Sequence, residues 1–248
     1  MKKLLTMVIA ATMLVACGND DNGGTNKPNN GGSDSNYTAP ITIDGNFADW
    51  DALDQSKVSV ATLPEGEVQY GALYTLKVYA DELFVFAYIE FDDAALPDKS
   101  QVPMHFYLNS DNDSTTGGGD AIWTDADADF LFEGFVYQEG SLCSYDPGVY
   151  SWHGLDGDTT WDWGTEDEIV LESGRGLSSG AGSVDGNGLG RYEFAFLIDM
   201  MPFTLADTFS IGAGIQQNWN SVGMLPCGVV SDLDLEGTAE KLVVTIDK

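Results

Sequence analysis

Positive charge is what this chain has least of. Ten lysines and arginines stand against 40 aspartates and glutamates, for a formal net charge of −30. A surface of that sign repels nucleic acid and anionic membrane, so both are poor partners, and it suits neutral ligands and divalent cations. Long hydrophobic runs are missing too. The apolar stretch at residues 4–16 falls short of the roughly 20 residues that a transmembrane helix needs. No long stretch carries a helical repeat, and 29 glycines argue against one. Histidine is down to two. His105 alternates within an apolar run and His153 sits by a turn, so both read as ordinary core or surface residues rather than a catalytic base or zinc ligands. A Gly-x-Ser-x-Gly elbow, a phosphate loop and a dinucleotide fingerprint are all absent. No internal repeat is visible.

What is present begins with an export signal. Met1, Lys2 and Lys3 are followed by the uncharged apolar run and then by Leu14-Val15-Ala16-Cys17. A positive start, an apolar middle and small residues at the cut define a secretory signal. The last four residues resemble the lipobox of bacterial lipoproteins, which implies that Cys17 becomes the lipidated first residue and anchors the chain. Residues 18–38 are Asn, Gly, Asp and Ser with almost nothing apolar, the composition of a flexible tether. Asp20 and Asp21, just after the cysteine, resemble the surface-export signal of lipoproteins from the Bacteroides group, which implies an outer-membrane protein facing outward. The expected organisation is a signal at 1–16, lipidated cysteine and tether at 17–38, and one domain at 39–248. Loss of Lys2 and Lys3 with the signal leaves 8 basic residues against 40 acidic ones, a charge of −32. Cys143 and Cys227 then remain, either bridged or as two free thiols.

The domain reads as all-β. Runs at 76–80 and 83–91 flank Asp81-Glu82 and predict a hairpin. Further runs fall at 104–108, 129–137, 168–171, 191–198, 208–215 and 241–246, with Gly and Asp clusters between them. Many short strands with turn signals mean a sandwich or barrel. Residues 83–91 are apolar on both faces, as in a central strand covered on two sides.

Four segments carry a resemblance. Ile41-Thr42-Ile43-Asp44-Gly45-Asn46-Phe47-Ala48-Asp49-Trp50 opens the domain. The hairpin through Ala80-Asp81-Glu82-Leu83-Phe84 follows, then Phe106-Tyr107-Leu108-Asn109-Ser110-Asp111-Asn112-Asp113 with its Thr116-Gly117 turn, then Arg191-Tyr192-Glu193-Phe194-Ala195-Phe196. In this order they resemble family 9-type carbohydrate-binding modules. The resemblance implies a jelly-roll-like β-sandwich, Trp50 in its core, structurally held calcium and sugar bound between aromatic rings. The insert at 174–190 and the Trp152 to Trp163 region have no counterpart in it.

Two sets of residues are candidates for binding. Asp111, Asp113, Asp120 and Asp129 place oxygen ligands on a Gly-bent loop, a pattern that fits calcium. The loop is not an EF-hand, because Ile122 stands where the bidentate Glu belongs. A solvated acidic turn is the alternative. Trp152, Trp161, Trp163, Trp123 and Trp219 are the candidate sugar platform. Trp161 and Trp163 lie two apart, which on a strand puts both rings on one face, and a hairpin through Gly154-Leu155-Asp156-Gly157 brings Trp152 to them. Core packing is the alternative for each. The expectation is a non-catalytic glycan-binding lipoprotein, accessory to polysaccharide capture or a glycan uptake complex. Its rivals are a carbohydrate-active enzyme, a structural or adhesive envelope protein without sugar binding, and a haem binder built on Met104, Met200, Met201, His105 and His153.

Overall fold

The computed structural model describes residues 37–119, 122–170, 178–198, 201 and 203–248. The signal, Cys17, nearly all of the tether and Asp120 lie outside them. The strand runs are where alternation puts them. β2 (Leu73–Ala80) and β3 (Phe84–Asp92) form the expected hairpin, and β4 (Gln101–Asn109), β5 (Phe130–Gln138), β8 (Trp163–Val170), β10 (Leu189–Leu197), β11 (Thr208–Gln217) and β13 (Leu242–Thr245) follow in order. Five strands were not marked by apolar alternation: β1 (Ser59–Thr62), β6 (Ser141–Leu142), β7 (Gly148–Trp152), β9 (Ser178–Val184) and β12 (Asn220–Leu225). β9 falls inside the Gly-rich insert. Its glycines let it lie close against β10, since a Cβ at Gly182 would come within 2.5 Å of the Tyr192 ring.

Two antiparallel sheets result, which makes the domain a β-sandwich. One has the order β1-β2-β3-β10-β9, and the other β12-β11-β4-β5-β7-β8 with β13 on β11 and β6 on β5. The inner faces meet in a core that includes Leu76, Ile89, Phe91, Phe106, Phe132, Phe194, Phe196 and Phe209. Both outer faces are partly covered as well. On the first sheet, Ile41, Ile43 and Trp50 pack over Phe84, Phe86 and Tyr88. On the second, Ile122, Trp123 and Trp163 pack over Tyr107 and Leu131. This double covering is why β3 is apolar on both faces.

Trp50 is 1% exposed, at the core position the resemblance implied. Its indole N–H donates to Glu193 of β10 at 3.1 Å, and the same carboxylate accepts the backbone N–H groups of Asp44 at 2.9 Å and Gly45 at 2.7 Å. Glu193 therefore ties the opening segment to a central strand. Gly45 has φ +78°, a conformation that favours glycine. Cys143 and Cys227 are free thiols. Burial pushes the Cys143 thiol up to about 11, so it stays protonated and unreactive at neutral pH.

Candidate functional site

The outer face of the second sheet carries the aromatic and acidic residues of interest. Register defines three rows across β11, β4 and β5. Gly212, Tyr107 and Leu131 form the first, and Gly214, His105 and Glu133 the second; Pro103 and Phe135 pair in the third, beside Gln216 of β11. The first row is closed. Trp123 packs 5.0 Å from Tyr107, fits against Gly212, where a Cβ would come within 2.3 Å of its ring, and donates its indole N–H to the Pro226 carbonyl at 3.0 Å. Trp163 packs 6.0 Å from Tyr107 and is only 8% exposed.

In the other two rows His105 is buried, while Glu133, Phe135 and Gln216 are half-buried. Trp161 is 58% exposed and its ring lies 5.9 Å from that of His105. Trp219 is 54% exposed, in a left-handed conformation at the tip of the β11–β12 hairpin, and meets Phe135 edge-on at 6.1 Å. His105 and Phe135 are diagonal neighbours on one sheet face, a separation of roughly 7–8 Å. Between the two tryptophans, His105 Nε2 is 2.9 Å from Glu133 Oε2. Glu133 lies partly open to solvent, so its carboxylate still has acceptor capacity. The Gln216 side-chain oxygen has no hydrogen-bond partner among the described residues. Two exposed indole rings on one surface can stack apolar sugar faces, and the half-buried Glu133 carboxylate between them can bond hydroxyls.

The five tryptophans therefore divide. The hairpin after β7 does bring Trp152 to Trp163, as a cross-strand pair with rings 5.0 Å apart. Trp161 lies on the same outer face but over His105, whereas Trp163 lies over Tyr107. Trp161 precedes β8 and sits in the connecting loop, so strand alternation does not govern it. Trp163 and Trp123 are covering residues. Trp152 is held against Gly118 and Gly154, where a Cβ would come within 2.1 Å and 2.3 Å of its ring, and it lines a cavity of about 300 Å³ with Ser151, His153, Asp156 and Asp129.

Of the acidic loop, Asp111, Asp113 and Asp129 are among the described residues and Asp120 is not. Among the described residues, no three His, Cys, Asp or Glu side chains converge to hold a metal. Asp111 Oδ1 accepts the Asp113 N–H at 2.9 Å, and Asp113 Oδ1 accepts from Thr115 N at 2.9 Å and Oγ1 at 2.6 Å. These are turn bonds, the local use that Asp favours. Asp129 accepts from Ser110 N at 2.7 Å and Oγ at 2.8 Å, and burial holds its carboxyl above the usual range. The buried cation of this region is Lys241. Its ammonium pairs with Asp127 and with the Asp125 carbonyl, and it lies 5.8 Å from the Trp123 ring centroid. Nothing in the local sequence joins residues 114 positions apart.

The fold and this face define a two-sheet β-sandwich that presents paired, exposed tryptophans. Comparison with family models gives no match. Comparison with curated proteins gives none either. Two solved structures are similar in fold. One is a family 9 carbohydrate-binding module from Caldicellulosiruptor kristjanssonii in complex with cellotriose, and the other a family 9 module from the same organism in complex with glucose. Each is 11% identical with a TM-score of 0.40. Each covers 85% of this chain, and the chain covers 91% and 93% of their lengths respectively.

Proposed function

We propose that the chain is a non-catalytic glycan-binding protein, held at a bacterial outer membrane by a lipid on Cys17 and serving polysaccharide capture or uptake. The observation that carries the reading is the pair of more-than-half-exposed tryptophans on one sheet face, with His105 and Glu133 between them. Large exposed aromatic rings cost hydration free energy, and a soluble surface that keeps two together is a binding surface by default. A neutral, hydroxyl-rich ligand with apolar ring faces fits both the rings and the negative charge of the chain. Of the five expected tryptophans this reading keeps Trp161 and Trp219, with Trp152 at the margin, and leaves out Trp123 and Trp163.

The test is a glycan array followed by calorimetry on the best ligand. Trp161→Ala and Trp219→Ala should each weaken binding by about 1–3 kcal/mol, roughly 5- to 150-fold, with melting temperature nearly unchanged. Trp163→Ala should cost about 3–5 kcal/mol of stability, because that ring fills covered space. Wild-type affinity in both exposed-ring variants would remove the platform from the face described. New reducing ends in the same mixtures would favour the enzyme reading.

The anchor is tested separately. Cys17→Ser removes the thiol that would be acylated, so the variant should move to the soluble fraction on membrane fractionation. Sedimentation equal to that of wild type sinks the anchor.

A further inference from the structure

We propose that a cavity of about 380 Å³ on the outer face of the first sheet is a second ligand site, which takes a carboxylate-bearing sugar with its carboxylate on Lys77. Lys77 and Tyr88, paired across β2 and β3, and Glu90 and Arg191, paired across β3 and β10, line its floor. The helix α1 (Ala48–Ala52) and the residue before it wall it, with Phe47 edge-on to Tyr88 at 5.3 Å and Trp50 tilted at 5.7 Å.

The pairing of the cations points to the ligand. Lys57 pairs with Asp247, Lys99 with Asp93, Arg191 with Glu90, Lys241 with Asp127 and Lys248 with Asp207. Among the described residues Lys77 is the basic side chain with no carboxylate partner, although the chain has 40 acidic residues to supply one. Its ammonium stands 5.1 Å from the centroid of the Tyr88 ring. That ring shields one side of the charge, which strengthens its attraction for an anion. Glu90, which also lines the cavity, pairs with Arg191 at 3.4 Å and accepts from Thr75 and Tyr88, both at 2.8 Å.

Besides the Arg191-paired Glu90, Asp51 is the opposing charge in the cavity wall. It is exposed on α1, so water and salt screen it, with a Debye length of about 8 Å at physiological ionic strength. It is then an acceptor for hydroxyls, while the aromatic wall takes the apolar face of a sugar ring. A carboxylate beside several hydroxyls on one small ring, as in a uronic acid, uses all of these groups at once. This site is on the opposite sheet from Trp161 and Trp219 and does not depend on them.

Calorimetry on the soluble chain lacking its signal, with galacturonate, galactose and acetate as probes, tests the assignment. Galacturonate should bind about tenfold or more tighter than galactose, the scale of one charge-assisted contact, and added salt should weaken it. Lys77→Met should abolish that preference without changing the melting temperature, and Lys77→Arg should retain it. Trp161→Ala and Trp219→Ala should leave galacturonate binding as it is, so failure of the tryptophan face and failure of this cavity are separable. Equal affinity for galactose and galacturonate, no binding of either, or unchanged binding in Lys77→Met overturns the proposal. Acetate competing as well as galacturonate overturns the sugar specificity and leaves a bare anion site.

Discussion

Lys241→Met should unfold more readily than any surface change in this chain, losing about 3–5 kcal/mol of stability. The side chain of Lys241 is 1% exposed and that of Asp127 is 4% exposed, so the methionine leaves a carboxylate in a dry site without its counter-charge. Asn109 Nδ2, which donates to Asp127 at 2.6 Å, is then its remaining side-chain partner. For a domain of this size the loss corresponds to a fall of about 6–20 °C in melting temperature. The variant Lys241→Met with Asp127→Leu should recover most of it, because replacing a buried pair by apolar groups is close to neutral. A single variant that melts within 2 °C of wild type would show that the ammonium is not what neutralises Asp127.

Glu193→Ala should be nearly as costly and should differ in its dependence on pH. Removing the carboxylate strips three donors of their acceptor: the N–H groups of Asp44 and Gly45 and the indole of Trp50. A loss of about 3 kcal/mol near neutrality is expected, since each buried unsatisfied group costs on the order of 1–3 kcal/mol and water relieves part of it. Burial pushes the Glu193 carboxyl up to about 7, although the three N–H bonds pull the other way. The folded state then holds a proton that the unfolded chain has released above about 4.5. This contribution is fully present below that pH and is lost as pH rises to about 7, at a cost on the order of 3 kcal/mol across the window. Asp129 is also shifted up by burial, so the comparison is wild type against variant. Between pH 5 and 7 the wild type should lose stability faster than Glu193→Gln does. Parallel melting profiles for the two proteins would falsify the assignment.

Both predictions fall on residues that join distant parts of the chain, and neither role is visible locally. The sequence marks Glu193 only as a charge in an apolar strand, two residues from Arg191. Its partners at 44, 45 and 50 become apparent once the opening segment is seen to lie across β10. Lys241 is similar. A single lysine before the last strand gives no sign that it enters an acidic loop more than a hundred residues earlier. The calcium expectation came from the density of aspartates at 111–129, and in the fold Asp111 and Asp113 are turned back to their own turns.

What the sequence determined by itself is the local order. Alternation set β2, β3, β4, β5, β10 and β11, and the Asp81-Glu82 turn set the first hairpin, because side chains on a strand take opposite faces with a period of two. Double covering was legible in the 83–91 run, apolar on both faces, and the resemblance placed Trp50 in the core. What only the tertiary structure decided is exposure. Trp161 and Trp163 differ by two positions, yet one is open and the other covered, since the first sits in a loop over His105 and the second in a strand, packed between Tyr107 and Trp152. Burial of a loop residue depends on which distant segment packs over it, and no pattern within a short window carries that information.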